Sequence, residues 1–166
     1  VKEKLDRLFN LLAKLLALYQ GILELGKKKR EILTAGGKPQ ELEMITKQEE
    51  VLILQIGKME KMRETVVQEI TTANNAGGKQ LTLSQIRQLA SVDASGRFEQ
   101  VTENLKTVVN EIASLNEINT RLLQQAMNFI NFNINMLAQH AADPTYAPQG
   151  QENKPAQART FFDQKV

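Results

Sequence analysis

Asn131-Phe132-Asn133-Ile134-Asn135-Met136 alternates polar and apolar side chains, and a period of two taken alone argues for a β-strand. The chain holds no second strand candidate to pair with it, and an isolated strand is not stable. On a helix the same region sorts differently. Gln124, Asn128, Asn131 and Asn135 fall on one polar face, Phe129, Phe132 and Met136 form one apolar row, and Ile130, Ile134 and Leu137 form another. Both rows have helical spacing. The segment is therefore predicted helical, and with it the whole chain becomes all-α. The helix also carries an apolar arc wider than the stripe of about 100° that a packed helix normally buries.

Upstream of this arc, Phe98, Val101, Leu105, Val108, Ile112, Leu115, Asn119, Leu122, Ala126 and Phe129 follow one another in steps of three and four. That spacing predicts a long helix over about 96–141, opened near Ser95-Gly96. At the other end of the chain Leu5, Leu8, Leu12, Leu15, Tyr19 and Ile22 form one row, and Leu11, Leu18, Leu25 and Ile32 form a neighbouring one. This predicts a core-facing helix over about 2–34, roughly 45–50 Å long. Ala35-Gly36-Gly37 ends it, because glycine takes the left-handed cap conformation readily. Lys27, Lys28, Lys29 and Arg30 sit in its last turns, where cations suit the helix dipole.

Lys38-Pro39 opens a second helix over 39–73, with proline where its missing N–H costs nothing. Its row runs Leu42, Ile45, Glu49, Leu52, Ile56, Met59, Arg63, Val66 and Ile70. Glu49 and Arg63 interrupt the seam, which must be wet there or paired across helices. The short connection makes the first two helices an antiparallel hairpin of matched length, and such a pair cannot cover both apolar stripes by itself. Thr72 to Gly78 reads as a loop. Thr82 and Gln85 have capping-box spacing at the head of a short helix over 82–92, a lid across the open end of the hairpin. The expected architecture is an antiparallel bundle of three long helices plus one short helix, residues 1–142, with coiled-coil-like packing. A flexible, disordered tail is expected over 143–166, where Pro144, Pro148 and Pro155 and a run of Gln, Asn and Gly remove all periodicity.

Composition narrows the function classes. The chain has 166 residues, no Cys, no Trp and one His, with a formal net charge of +2. Disulfides and thiol chemistry are excluded, and near-neutrality gives no support for nucleic-acid binding. No uninterrupted apolar run of about 18 residues exists, so no membrane insertion is expected. The Leu-rich start carries Lys4, Asp6, Arg7, Lys14 and Glu24 and lacks a small-residue cleavage site, unlike a signal peptide. A cytoplasmic protein is expected. Gly36-Gly37-Lys38 and Gly77-Gly78-Lys79 follow no strand and lack the phosphate-loop spacing. His140 reads as a solvated residue at a helix C-terminus, with no partner ligands for a metal. No enzyme, no cofactor, no metal and no small-molecule substrate are expected.

The late helix with Asn119, Leu122, Leu123, Ala126 and Ile130, followed by Asp143-Pro144-Thr145-Tyr146-Ala147-Pro148-Gln149-Gly150, resembles the FlgN-type flagellar export chaperones. The resemblance covers the architecture of the chain, and its specific part is the late helix with the Pro144, Tyr146 and Gly150 segment. It implies a cytoplasmic, non-enzymatic escort for the hook–filament junction proteins FlgK and FlgL, binding their C-terminal helical region and preventing premature association. It further implies that a tail tyrosine contacts the export-gate protein FlhA, and by motif that residue is Tyr146, flanked by Pro144 and Gly150.

The residues supply a matching mechanism. A client amphipathic helix would lie along Phe129, Phe132, Ile134, Met136 and Leu137, and Met and Phe repack to suit two related clients. Phe161 and Phe162 form an apolar pair near the C-terminus that either joins the client site or is incidental. The competing class is a structural or adaptor helical bundle that homo-oligomerises through its long helices. A membrane-surface role for Leu5 to Leu25 with the basic run is a third reading.

Overall fold

The structure is a computed structural model that describes residues 2–74 and 80–142. It is all-α, and no strand occurs among the described residues. The elements are α1 (Lys2–Ala35), α2 (Pro39–Ala73), α3 (Leu83–Gln88) and α4 (Val92–Ala142). The chain divides into two compact units, the first ending at Met127 and the second beginning at Asn128. The expected tail over 143–166 and most of the expected 72–78 loop lie outside the described residues.

In the first unit α1 and α2 form the expected antiparallel hairpin. Gly36 has φ +66°, and the Gly37 N–H donates to the Ile32 carbonyl at 2.8 Å. Together these make a Schellman-type end that satisfies an orphan carbonyl of α1. Glu41 reaches back to accept from the Lys38 N–H at 3.1 Å and fixes the start of α2. The two interruptions in the α2 row resolve as ion pairs. Glu49 is met across the hairpin by Lys29, and Arg63 pairs within its own helix with Glu60 at 2.7 Å. Burial and the nearby Glu60 carboxylate raise the Tyr19 phenol above its ordinary pKa.

Leu5, Leu8, Leu11 and Leu12 of α1 bury against Val66, Val67 and Ile70 of α2, Ile86 of α3, and Phe98 and Val101 of α4. Phe9 and Phe98 meet edge to face, ring centroids 5.7 Å apart. Farther along, Leu23 packs with Val108 and Leu115. Phe98 thus lies near the start of α1 and Leu115 near its end, so α4 runs parallel to α1 and antiparallel to α2. The leucines at the start of α1 are therefore covered by the first turns of α4. By length and composition α1 is apolar enough to cross a membrane; here its leucine rows form this core.

Two boundaries differ from expectation. The short helix ends at Gln88 rather than near 92, and α4 starts at Val92 rather than 96. The Ser95 N–H already donates to the Ser91 carbonyl at 2.8 Å, so the first turn closes ahead of Gly96. Gly96 is tolerated inside the helix because it is four residues into a long α4 whose packing outweighs a propensity cost of about 1 kcal/mol. The capping box at the head of α3 is present: the Gln85 N–H donates to Thr82 Oγ1 at 3.3 Å and the Thr82 N–H to Gln85 Oε1 at 2.9 Å. Fully buried Ile86 closes the end of the hairpin as the lid reading anticipated. Buried Thr71 ties this corner to α2, donating to Val67 and accepting from the Leu81 N–H at 3.1 Å.

The α1–α4 seam contains one polar lock. Asn119, 6% exposed, donates through Nδ2 to the Gly26 carbonyl at 2.9 Å. A side chain at position 26 would crowd this approach, since its Cβ would sit 2.9 Å from Leu115 Cδ2. Asn119 Oδ1 is buried and finds no protein partner. An unmatched buried carbonyl is destabilising, whereas a well-shaped apolar replacement removes the donor and the orphan together. Asn119→Leu should therefore raise stability by about 1 kcal/mol in urea titration; a lower midpoint would show that the polar contact is net stabilising. Gly36→Ala should cost about 1–2 kcal/mol by forcing an L side chain into the left-handed region.

Candidate client-binding surface

The second unit, as described, is the stretch of α4 from Asn128 to Ala142. Asn131–Met136 is helical despite the period-two pattern and despite three Asn of weak helix propensity, because it continues the ladder of the long α4. Phe129, Phe132, Ile134, Met136 and Leu137 all stand on these turns and all are exposed, Phe129 by 66%, Phe132 by 60% and Leu137 by 71%. Ile130, on the row shared with Ile134 and Leu137, is also more than half exposed. His140 donates through Nδ1 to the Met136 carbonyl at 2.9 Å, occupying one of the carbonyls in the last turns. Pro144, Tyr146, Gly150, Phe161 and Phe162 lie outside the described residues.

These side chains have no acid–base or nucleophilic chemistry. Among the described residues no group of three His, Asp or Glu could hold a metal ion. What the turns offer is contiguous apolar surface on a regular helix, with Met and Phe that adapt their shape and Ile that does not. Such a surface suits a partner helix, whose own apolar stripe meets it in register.

The chain matches the FlgN protein family over residues 4–154, most of its length. The chain belongs to the FlgN family. This is a family of flagellar export chaperones, so the family assignment that the late helix and tail motif suggested stands, as does the chaperone class. The FlgN-family chain is also 28% identical over 156 residues to the Bacillus subtilis (strain 168) protein YvyG, itself uncharacterized; the match covers 93% of this chain and 94% of YvyG. No solved structure matches it.

Sequence reasoning passed over a second set of exposed apolar residues. Met44, Val51 and Met62 of α2 are 64%, 54% and 41% exposed. They share one side of that helix, flanking the core row. The signal was their spacing of seven and eleven, a helical row in its own right, masked by the more regular series from Leu42 to Ile70.

The exposures separate surface from core by a measurable margin. Phe129→Ala and Phe132→Ala should each change stability by less than about 0.5 kcal/mol. Phe98→Ala, at a site 3% exposed, should cost about 3–5 kcal/mol. Thermal melts of the three variants check this, and a large loss for either of the first two would place that ring in the core.

Proposed function

We propose that this FlgN-family chain is a cytoplasmic, non-enzymatic export chaperone that binds the C-terminal helical region of the hook–filament junction proteins FlgK and FlgL and delivers them to the export gate FlhA. The observation that supports this most is the exposed arc Phe129, Phe132, Ile134, Met136 and Leu137 on one regular helix. A solvent-exposed apolar row of this kind is costly to leave bare and marks an interaction surface. The client would lay the apolar face of an amphipathic helix along it, hiding from other copies the segment through which it would associate too early.

Magnitudes favour reversible capture. Completing the burial of side chains already half covered contributes roughly 1–1.5 kcal/mol each. The arc then supplies roughly 5–8 kcal/mol, within the range that association itself consumes. Such a complex forms when the client presents its own apolar face and comes apart when the export machinery takes it. Tyr146, with Pro144 and Gly150, is assigned the gate contact, and Phe161 and Phe162 an accessory client contact. Both assignments follow from the family resemblance and from composition.

Isothermal titration with a C-terminal helical fragment of FlgK should give a 1:1 complex with the full chain. Phe129→Ala with Phe132→Ala should weaken it about tenfold or more, at unchanged helicity. Tyr146→Ala should spare the client and lose the cytoplasmic domain of FlhA. Equal gate affinity for both forms would end the Tyr146 assignment. A stable homodimer that persists without residues 143–166 and ignores both junction proteins would favour a structural bundle instead.

A further inference from the structure

The α1–α2 hairpin has a face that α4 leaves open. Within the first unit α4 packs at Leu16, Tyr19 and Leu23 of α1, while Leu18 and Leu25 lie on the other side of its leucine stripe. There the hairpin forms a groove of about 610 Å³ with Gly21, Leu25, Val51 and Leu52 as its floor. Gly21 makes room there for the Leu52 side chain, whose Cδ1 would stand 3.1 Å from a Cβ at that position. Exposed Met44 and Val51 continue the floor along α2.

Charge defines what fits. Lys28 and Lys47 line the groove. By helical spacing Lys14 shares the outer edge of α1 with Lys28, and Lys58 shares the outer edge of α2 with Lys47. Lysines thus form a rail along each edge of the groove, broken by Glu24 on α1 and by Glu43 on α2. Glu24, also at the rim, is held by Lys27 at 2.8 Å, and Lys47 is partly offset by Glu43 at 2.7 Å. Lys14, Lys28 and Lys58 form no ion pair among the described residues.

We propose that this face is a second docking groove, separate from the Phe129–Leu137 arc, which takes an amphipathic helix with acidic residues flanking its apolar stripe. An apolar seam between charged flanks is how coiled-coil partners choose one another. A second copy of the chain fits poorly, because an isologous pairing sets α1 against α2 and so brings lysine rail against lysine rail. A membrane surface is flat where this face is concave.

The probe is a synthetic amphipathic helix with Leu at the seam positions and Glu at the flanks, titrated by fluorescence anisotropy into the full chain. A second peptide carries Lys in place of Glu. The acidic peptide should bind and the basic one should not. Val51→Glu and Lys28→Glu, both at exposed positions, should each weaken the acidic peptide about tenfold while leaving the helical circular dichroism unchanged. Phe129→Ala with Phe132→Ala should leave its affinity unaltered, and binding should weaken as salt rises. Four outcomes would overturn the proposal: no binding, equal binding of both peptides, loss of binding only in the Phe129→Ala/Phe132→Ala variant, or indifference to Val51→Glu. So would a concentration-dependent dimer that Val51→Glu abolishes, which would make a second copy the occupant. Binding to phosphatidylserine vesicles in preference to the peptide would assign the face to a lipid surface.

Discussion

Two leucine rows on one helix, α1, carry the first 127 residues. One row alone would need one neighbour, and α2 would satisfy it. Because Leu5, Leu8 and Leu12 and the adjacent Leu11 together span more than a single packing stripe, α1 must be covered from two directions. The second cover is α4, and the parallel direction of α4 follows from connectivity: with α2 returning antiparallel, the next long helix starts again at the beginning of α1. The edge-to-face pair of Phe9 and Phe98 and the small helix α3, plugged in by Ile86, close that end.

The polar contacts within this core serve position more than strength. The Asn119–Gly26 bond is a single link between α4 and the backbone of α1, and it costs an unmatched carbonyl. A polar group in an apolar seam penalises every register but one. Lys29–Glu49 does similar work across the hairpin, where a lone carboxylate in the seam would be far less favourable than a matched pair. Packing supplies the stability, and these few contacts select the alignment.

Two of the places where apolar surface is left bare among the described residues differ in character. The last turns of α4 present aromatic and aliphatic side chains on an uncharged, Asn-rich helix, a surface that discriminates by shape. The open face of the hairpin is shallower and edged with lysine, a surface that discriminates by charge.

Legible from the order of residues alone are the helices, the hairpin turn, the capping box at Thr82 and Gln85, and the core row from Phe98 to Asn119. Each rests on local spacing or on backbone chemistry that neighbouring residues control: the positive φ of Gly36 needs no distant contact to be foreseen. That the rows through Phe129 and Phe132 exceed what one seam can bury was also legible, but which of these side chains stay exposed was not. The tertiary structure settled the Glu49 interruption, since its partner Lys29 arrives from the facing helix, whereas Arg63 is met within its own helix by Glu60, three residues away. The tertiary structure likewise decided that Met44 and Val51 stay bare. An apolar row in sequence is the same whether a neighbour covers it or not, and α4, committed to the other side of α1, leaves that row open.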